Sequence, residues 1–333
     1  MFVPPLVDLH EDISAYIISG SLLNKFPLRP LSEDVPGRHA DIPKYKKSNT
    51  RLVVGAVFPM IPWYSDNGEI IYKHYPDLGF VFENITLYHN LARAHKELKL
   101  VFSKEDILRL FQGGGDRIGL MIGLEGADPI KAPDELGTLY RIGLRMLGLT
   151  WNYNNRYAAS CMSRVDMGLT REGIELVEKA LELGIVVDLA HSSPRTVKEV
   201  YEVTGKPIIV SHANAKSVHN VARNLDDKTL ELIAESKGVV GLVFISTFIS
   251  DKNPDIRALM KHILYICENY GIEIIAIGSD YFGSLDLSMA KGVETIDKIT
   301  NLWRTLLEHG FTKDEIEKIA WENAFRALAS WLK

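Results

Sequence analysis

The chain has 333 residues, 46% hydrophobic and 24% charged, enough apolar material for one large α/β barrel or two average domains. Its formal net charge of −5 offers no basic footprint for nucleic acid or an anionic membrane surface. Cys161 and Cys267, the two cysteines, form no CxxC or Cys/His spacing, which argues against a disulfide framework or thiolate metal site.

Eight short runs rich in β-branched residues read as strands: Leu6–His10, Leu52–Phe58, Ile118–Glu125, Met146–Trp151, Ile185–His191, Pro207–His212, Val239–Ile245 and Ile274–Asp280. Most are almost continuously apolar, as expected of parallel strands buried on both faces. Between them lie segments of helical character, the clearer ones being Asn84–Leu98, Pro133–Ile142, Arg171–Leu183, Pro194–Thr204, Asp227–Ser236 and Pro254–Tyr270. Ser193-Pro194 supplies an N-cap before a first-turn proline, and Thr312–Glu315 is a capping box for the last helix. Gly184 and Gly205 stand at C-cap positions. Eight βα units predict a TIM-type (β/α)8 barrel forming one domain over residues 1–333. A doubly wound open sheet is the alternative, but its GxGxxG fingerprint is absent, and Gly113–Gly115 reads as a turn. Residues 20–50, with Pro27, Pro30, Pro36 and Pro43, and residues 59–80, with Trp63, Tyr64, Tyr72 and Tyr75, read as long loops. The second would be a lid or a homodimer surface. No apolar run reaches the roughly 18 residues of a membrane span and no leader is evident, so the expectation is a cytoplasmic protein without membrane contact.

Chemistry collects where these strands end. His10-Glu11-Asp12 is an HxD motif, and in extended backbone residues two apart point the same way, so imidazole and carboxylate can meet on one cation. Glu125 sits between Leu124 and Gly126, His191 and His212 follow consecutive strands, and Asp280 follows the eighth. Three histidines, one aspartate and one glutamate suffice for two tetrahedral zinc ions sharing a carboxylate. Asp280 is then placed to carry a proton, and Arg223 to hold a substrate carboxylate. The remaining histidines (His39, His74, His89, His95, His219, His262, His309) fall in loops or helices and read mostly as surface residues.

Taken in order, several short motifs resemble the membrane (renal) dipeptidase family, dinuclear zinc peptidases of the amidohydrolase-like barrel type. They are Asp8-Leu9-His10-Glu11-Asp12, His39-Ala40-Asp41-Ile42-Pro43, Gly123-Leu124-Glu125-Gly126, Leu149-Thr150-Trp151-Asn152, Gly168-Leu169-Thr170, Asp188-Leu189-Ala190-His191, Ser211-His212 and Gly278-Ser279-Asp280. The resemblance implies one zinc on His10 and Asp12, a second on His191 and His212, and Glu125 bridging them around a shared hydroxide. It further implies Asp280 as acid–base residue, Arg223 as carboxylate clamp, Trp151 and Asn152 as substrate contacts, and dipeptides as substrates. Three positions depart from the family pattern. Trp151 replaces a substrate-binding histidine of the mammalian enzymes, Asp280-Tyr281-Phe282-Gly283 lacks a second carboxylate, and Trp321-Glu322-Asn323 replaces Gly-Gly-Asn. Because a fold and its metals do not fix the substrate, hydrolysis of another amide or a lactone, such as an N-acyl amino acid or cyclic amide, is the alternative reading.

Overall fold

A computed structural model describes residues 2–19, 27–74, 77–112, 117–284 and 288–333. Eight parallel strands close into a ring: β1 (Leu6–Glu11), β2 (Thr50–Val57), β3 (Ile118–Leu124), β4 (Leu144–Gly148), β5 (Val186–Asp188), β6 (Ile209–Ala213), β7 (Val239–Leu242) and β8 (Ile275–Ile277). Neighbours in the chain are neighbours in the ring, and pairing of Asp8 with Ile277 closes β1 onto β8. This is the expected TIM-type barrel. Apart from Arg51, every strand residue is buried, which explains why the runs are apolar throughout rather than alternating.

Helices return the chain from each strand to the next, and their ends follow local chemistry. Arg171–Leu183 starts at a Thr170 cap and stops at Gly184, whose φ of 76° is the left-handed geometry a C-terminal stop needs. Pro194–Thr204 is capped by Ser193 and ends at Gly205, again left-handed. The Thr312 capping box forms with Glu315, but it opens a short helix, Lys313–Glu317. The main C-terminal helix is Asn323–Trp331. The helix expected from Asn84 begins at Leu78 instead, because Asp77 caps it through the Phe80 N–H.

Other differences are larger. Residues 59–80 are not simply loop: Met60–Tyr64 and Ile70–His74 pair as an antiparallel hairpin, a pattern disguised by Pro62. An added short strand, Leu98–Leu100, pairs with the start of β3. In the proline-rich stretch, buried Arg38 gathers residues 29–41 by bonding the carbonyls of Arg29, Pro30 and Glu33 and the Asp41 carboxylate. The expected Gly113–Gly115 turn lies outside the described residues. Among the described residues, no helix is long and apolar enough to cross a membrane.

Strands β6, β7 and β8 approach so closely that a Cβ at either Gly241 or Gly278 would overlap the Ser211 carbonyl. Two hydrogens at Cα are what that spacing admits, and the approach brings the residues after β6 and β8 to one mouth of the barrel.

Candidate metal centre

Several strands are shorter than the sequence suggests, and the difference matters for the site. β5 stops at Asp188, three residues before His191, and β8 at Ile277, three before Asp280. His191 (φ 63°) and Asp280 (φ 61°) both occupy the left-handed region. That backbone cannot continue a strand, and for a non-glycine residue it costs on the order of 1–3 kcal/mol, a kind of strain that concentrates at functional sites. The turn re-aims each side chain over the barrel mouth.

His10, Asp12, Glu125, His191, His212 and Asp280 all converge there, and all are buried. His10 Nε2 lies 3.3 Å from Asp12 Oδ2, 3.8 Å from Glu125 Oε2 and 3.9 Å from Asp280 Oδ1. On the other side, His191 Nε2 lies 3.0 Å from Glu125 Oε1 and 3.0 Å from His212 Nε2, with His212 Nε2 3.6 Å from Glu125 Oε1. The two oxygens of Glu125 thus face two different groups of donors. His10–Asp12–Glu125 and Glu125–His191–His212 each bring their ligand atoms within 4.8 Å of one another, as does His10–His212–Asp280.

Hydrogen bonds behind the imidazoles set their tautomers. His191 Nδ1 faces Asn152 Oδ1 at 2.9 Å, an acceptor only, so Nδ1 carries the proton. His212 Nδ1 lies 2.8 Å from Ser211 Oγ, whose own proton goes to Asp188 Oδ2 at 2.5 Å. His212 therefore donates from Nδ1 as well. Burial first, then Arg223 and His10, holds His191 well below the ordinary imidazole range, and His212 is lowered in the same way. Both Nε2 atoms consequently present bare lone pairs to each other and to Glu125. At most one proton, on Glu125, can enter that triangle, and the arrangement calls for a cation. On the opposite side His10 Nε2 and Asp12 Oδ1 are buried without hydrogen-bond partners. The donor set of imidazole nitrogens and carboxylate oxygens suits zinc.

Electrostatics agree. Burial would lower His10, but the Glu125, Asp12 and Asp280 carboxylates outweigh it and hold the imidazole well above its ordinary range. Burial pushes Glu125 well up, with Asp12 and Asp280 adding to the effect against His10 and Arg223. Asp280 is pushed up to about 8, first by burial and then, against His10, by Asp12. Gly283 packs over both carboxylates so tightly that a Cβ there would overlap Asp280 Oδ1 and Asp12 Oδ2.

Arg223 lines the same cavity, donates from Nη2 to the His212 carbonyl at 3.3 Å, and leaves its buried Nε without a partner. Trp151 and Asn152 also line it, and the Asn152 side-chain oxygen is engaged with His191. The other two departures noted in the sequence have structural partners. Phe282 is fully buried, stacked on Tyr16 with ring centroids 4.9 Å apart. Trp321 stacks on Phe111 with centroids 4.5 Å apart, and Asn323, the residue of that motif that keeps the pattern, ties the C-terminal helix to the Ile272 and Ile275 carbonyls at the start of β8.

Sequence reasoning missed four supporting residues. Asp8 accepts the His10 and Ser279 N–H groups, Asp188 and Ser211 orient His212, and His39 accepts the Phe282 N–H at 2.9 Å. His39 is no surface residue, and nor is His262, which is wholly buried between the Ala215 N–H and the Ile249 carbonyl. The repeated order Asp-Leu-(Ala)-His, with Ser directly before His212 and Asp280, was the available signal.

The family model described as membrane dipeptidase (peptidase family M19) matches residues 3–331. Dipeptidase verJ of Clonostachys rogersoniana is 30% identical over 338 residues, covering 98% of this chain and 84% of that protein. An uncharacterised dipeptidase of Schizosaccharomyces pombe is 29% identical over 339 residues, covering 97% and 80%. Among solved structures, a metallopeptidase from Rhodobacter sphaeroides, liganded with a phosphinate mimic of the dipeptide L-Ala-D-Ala, superposes with a TM-score of 0.84. The two are 21% identical, with 99% of this chain and 100% of that one covered.

Proposed function

The chain belongs to the membrane dipeptidase family, and within it we propose a zinc-dependent dipeptidase whose single domain carries a dinuclear centre. The observation that carries this reading is the meeting of His191 Nε2, His212 Nε2 and Glu125 Oε1 as acceptors, with Glu125 Oε2 turned to His10 and Asp12. In this reading His10 and Asp12 hold one zinc, His191 and His212 the other, and Glu125 reaches both. When bound, such a pair supplies Lewis acidity, lowering the pKa of water to about 7 and polarising a carbonyl oxygen.

The chain's own groups do the rest. Asp280, beside His10 and Asp12 at the barrel mouth, accepts a proton from the attacking water and delivers it to the departing amine. Arg223 offers its unpartnered Nε and the rest of its guanidinium to a free substrate carboxylate, which restricts cleavage to very short peptides. Trp151 and Phe58 close one side of the cavity and keep bulk water from the reacting bond.

The test is a hydrolysis panel with zinc supplied, alongside metal analysis. Two zinc ions per chain and chelator-sensitive cleavage of dipeptides are expected. The panel should include L-L and L-D dipeptides, since the Rhodobacter relative is liganded with an L-Ala-D-Ala mimic. Absence of zinc together with absence of dipeptide cleavage would overturn the proposal. Arg223→Met separates it from hydrolysis of another amide or lactone: dipeptide binding should collapse, whereas a substrate without a carboxylate would be little affected.

A further inference from the structure

Two kinds of surface line the cavity. One is polar, made by Asp12, Glu125, His191 and Asp280; the other is apolar, with Phe58 and Trp151 in contact as one wall and Ile245 and Phe248 also lining the cavity. On the Phe58–Trp151 wall the Trp151 ring lies 5.2 Å from Phe58 and 5.2 Å from Tyr153, centroid to centroid, and 6.0 Å from His191. The Trp151 carbonyl accepts the Ser160 hydroxyl at 2.5 Å, which fixes the backbone beneath the indole. Phe58 is buried, and Phe248 lies under the Arg223 guanidinium, 5.6 Å from its ring centroid. The proposed mechanism uses the polar wall and Arg223 but gives this apolar face no more than the exclusion of water.

We infer that this wall is a side-chain subsite that selects dipeptides carrying a large apolar or aromatic residue, an inference that rests on the dipeptidase reading above. An apolar side chain laid on Phe58 and Trp151 leaves water for carbon surface. A charged one would lose hydration there without gaining a partner, since the cation on that side, Arg223, is committed to the carboxylate. Stacking against Trp151 and Phe58 adds a further preference for aromatic rings. Discrimination by such a pocket runs from about 10-fold to 200-fold per methylene-sized difference.

The experiment measures binding and turnover separately on the zinc-loaded protein. Phosphinate mimics of Phe-Ala, Ala-Phe, Asp-Ala and Ala-Asp are titrated by calorimetry, and the four parent dipeptides are assayed for cleavage. At least one aromatic mimic should bind about tenfold or more tighter than its acidic counterpart. Trp151→Ala, at a half-exposed position, and Phe58→Ala should each bring that ratio to within about threefold with zinc content preserved. If Phe58→Ala fails to fold, Trp151→Ala decides alone. Equal binding of aromatic and acidic mimics, or a ratio that Trp151→Ala leaves unchanged, overturns the inference. Discriminating mimics with no cleaved dipeptide would sustain the subsite and overturn the dipeptidase reading; cleavage without side-chain preference would do the reverse.

Discussion

On the β1/β8 side of the cavity, Asp8 accepts the N–H groups of His10 and Ser279 at 3.2 and 2.9 Å. On the β5/β6 side, Asp188 accepts those of Ala190 and Ser211 at 3.0 and 2.8 Å. Each aspartate ties its own strand to the neighbouring strand or the segment after it, and each holds a serine directly ahead of a residue aimed into the site. What they hold differs. The β5/β6 side presents two imidazoles whose Nδ1 protons are committed and whose Nε2 lone pairs are bare. The β1/β8 side surrounds one imidazole with Asp12, Asp280 and Glu125, and behind them Glu11 is buried, pushed well up by burial and then by Asp8, with the Tyr45 hydroxyl 2.6 Å away. One side is a preformed set of neutral acceptors. The other crowds carboxyl groups around one imidazole and holds the group proposed to move protons. Glu125 joins them, so in the proposed reading the same scaffold device serves metal binding on one side and metal binding with proton transfer on the other.

Glu125→Gln breaks the comparison most severely. Removing one anionic oxygen leaves two cations facing each other in a low-dielectric pocket. At least one zinc should be lost and kcat should fall by roughly a thousandfold or more, about 4 kcal/mol. Metal analysis with steady-state kinetics checks this, and a variant retaining two zinc ions and near-normal turnover contradicts it. Asp280→Asn tests the asymmetry itself. The variant should keep its zinc while kcat drops about 10²–10⁴-fold. Loss of zinc without a separate effect on kcat would make Asp280 a ligand rather than a proton carrier.

The two serines give a finer contrast. Ser211 Oγ touches His212 Nδ1, whereas the Ser279 hydroxyl faces the His10 carbonyl at 3.5 Å and the Tyr281 N–H. Ser211→Ala should weaken zinc affinity about 10–100-fold, the usual size for a group orienting a histidine ligand. Ser279→Ala should leave affinity close to the parent value. Competition titration against a chromogenic chelator distinguishes them, and equal effects would remove the distinction between the two sides.

The smallest effect concerns pH. A buried neutral imidazole lies behind each side: His39, pushed down by burial to about 3, and His262, pushed down by burial to about 4 with His219 adding to the effect. Both folded-state values lie below the unfolded value of 6.5, so their stabilising contribution is complete above pH 6.5. For His262 it fades as pH falls from 6.5 to about 4, on the order of 3 kcal/mol in all. Thermal melts of His262→Gln at pH 7, 5.5 and 4.5 should show lower stability at pH 7 but a shallower decline below pH 6.5. A decline as steep as the parent's would place the acid sensitivity elsewhere.

The barrel was legible because its strands are buried on both faces and therefore read as unbroken apolar runs, and the residues proposed as ligands stand at or just beyond their ends. The hairpin at Met60–Tyr64 and Ile70–His74 was not, since Pro62 interrupts the run and the pairing partner sets the structure. The aspartate–serine contacts were hidden for a different reason: Asp8 and Ser279 are 271 residues apart and meet only when the ring closes. Nor does a one-dimensional pattern reveal that His191 and Asp280 take left-handed backbone, or that Phe58 packs against Trp151. Those features depend on how the turns above the strands fold together.

The central claim is that Glu125 joins two unlike metal sites, and anomalous diffraction at the zinc edge from crystals of the zinc-loaded protein tests it most directly. The account predicts two peaks about 3.5–4 Å apart, one bounded by His10, Asp12 and Glu125 and the other by Glu125, His191 and His212. A single peak, or peaks that leave Glu125 outside both coordination spheres, would contradict it.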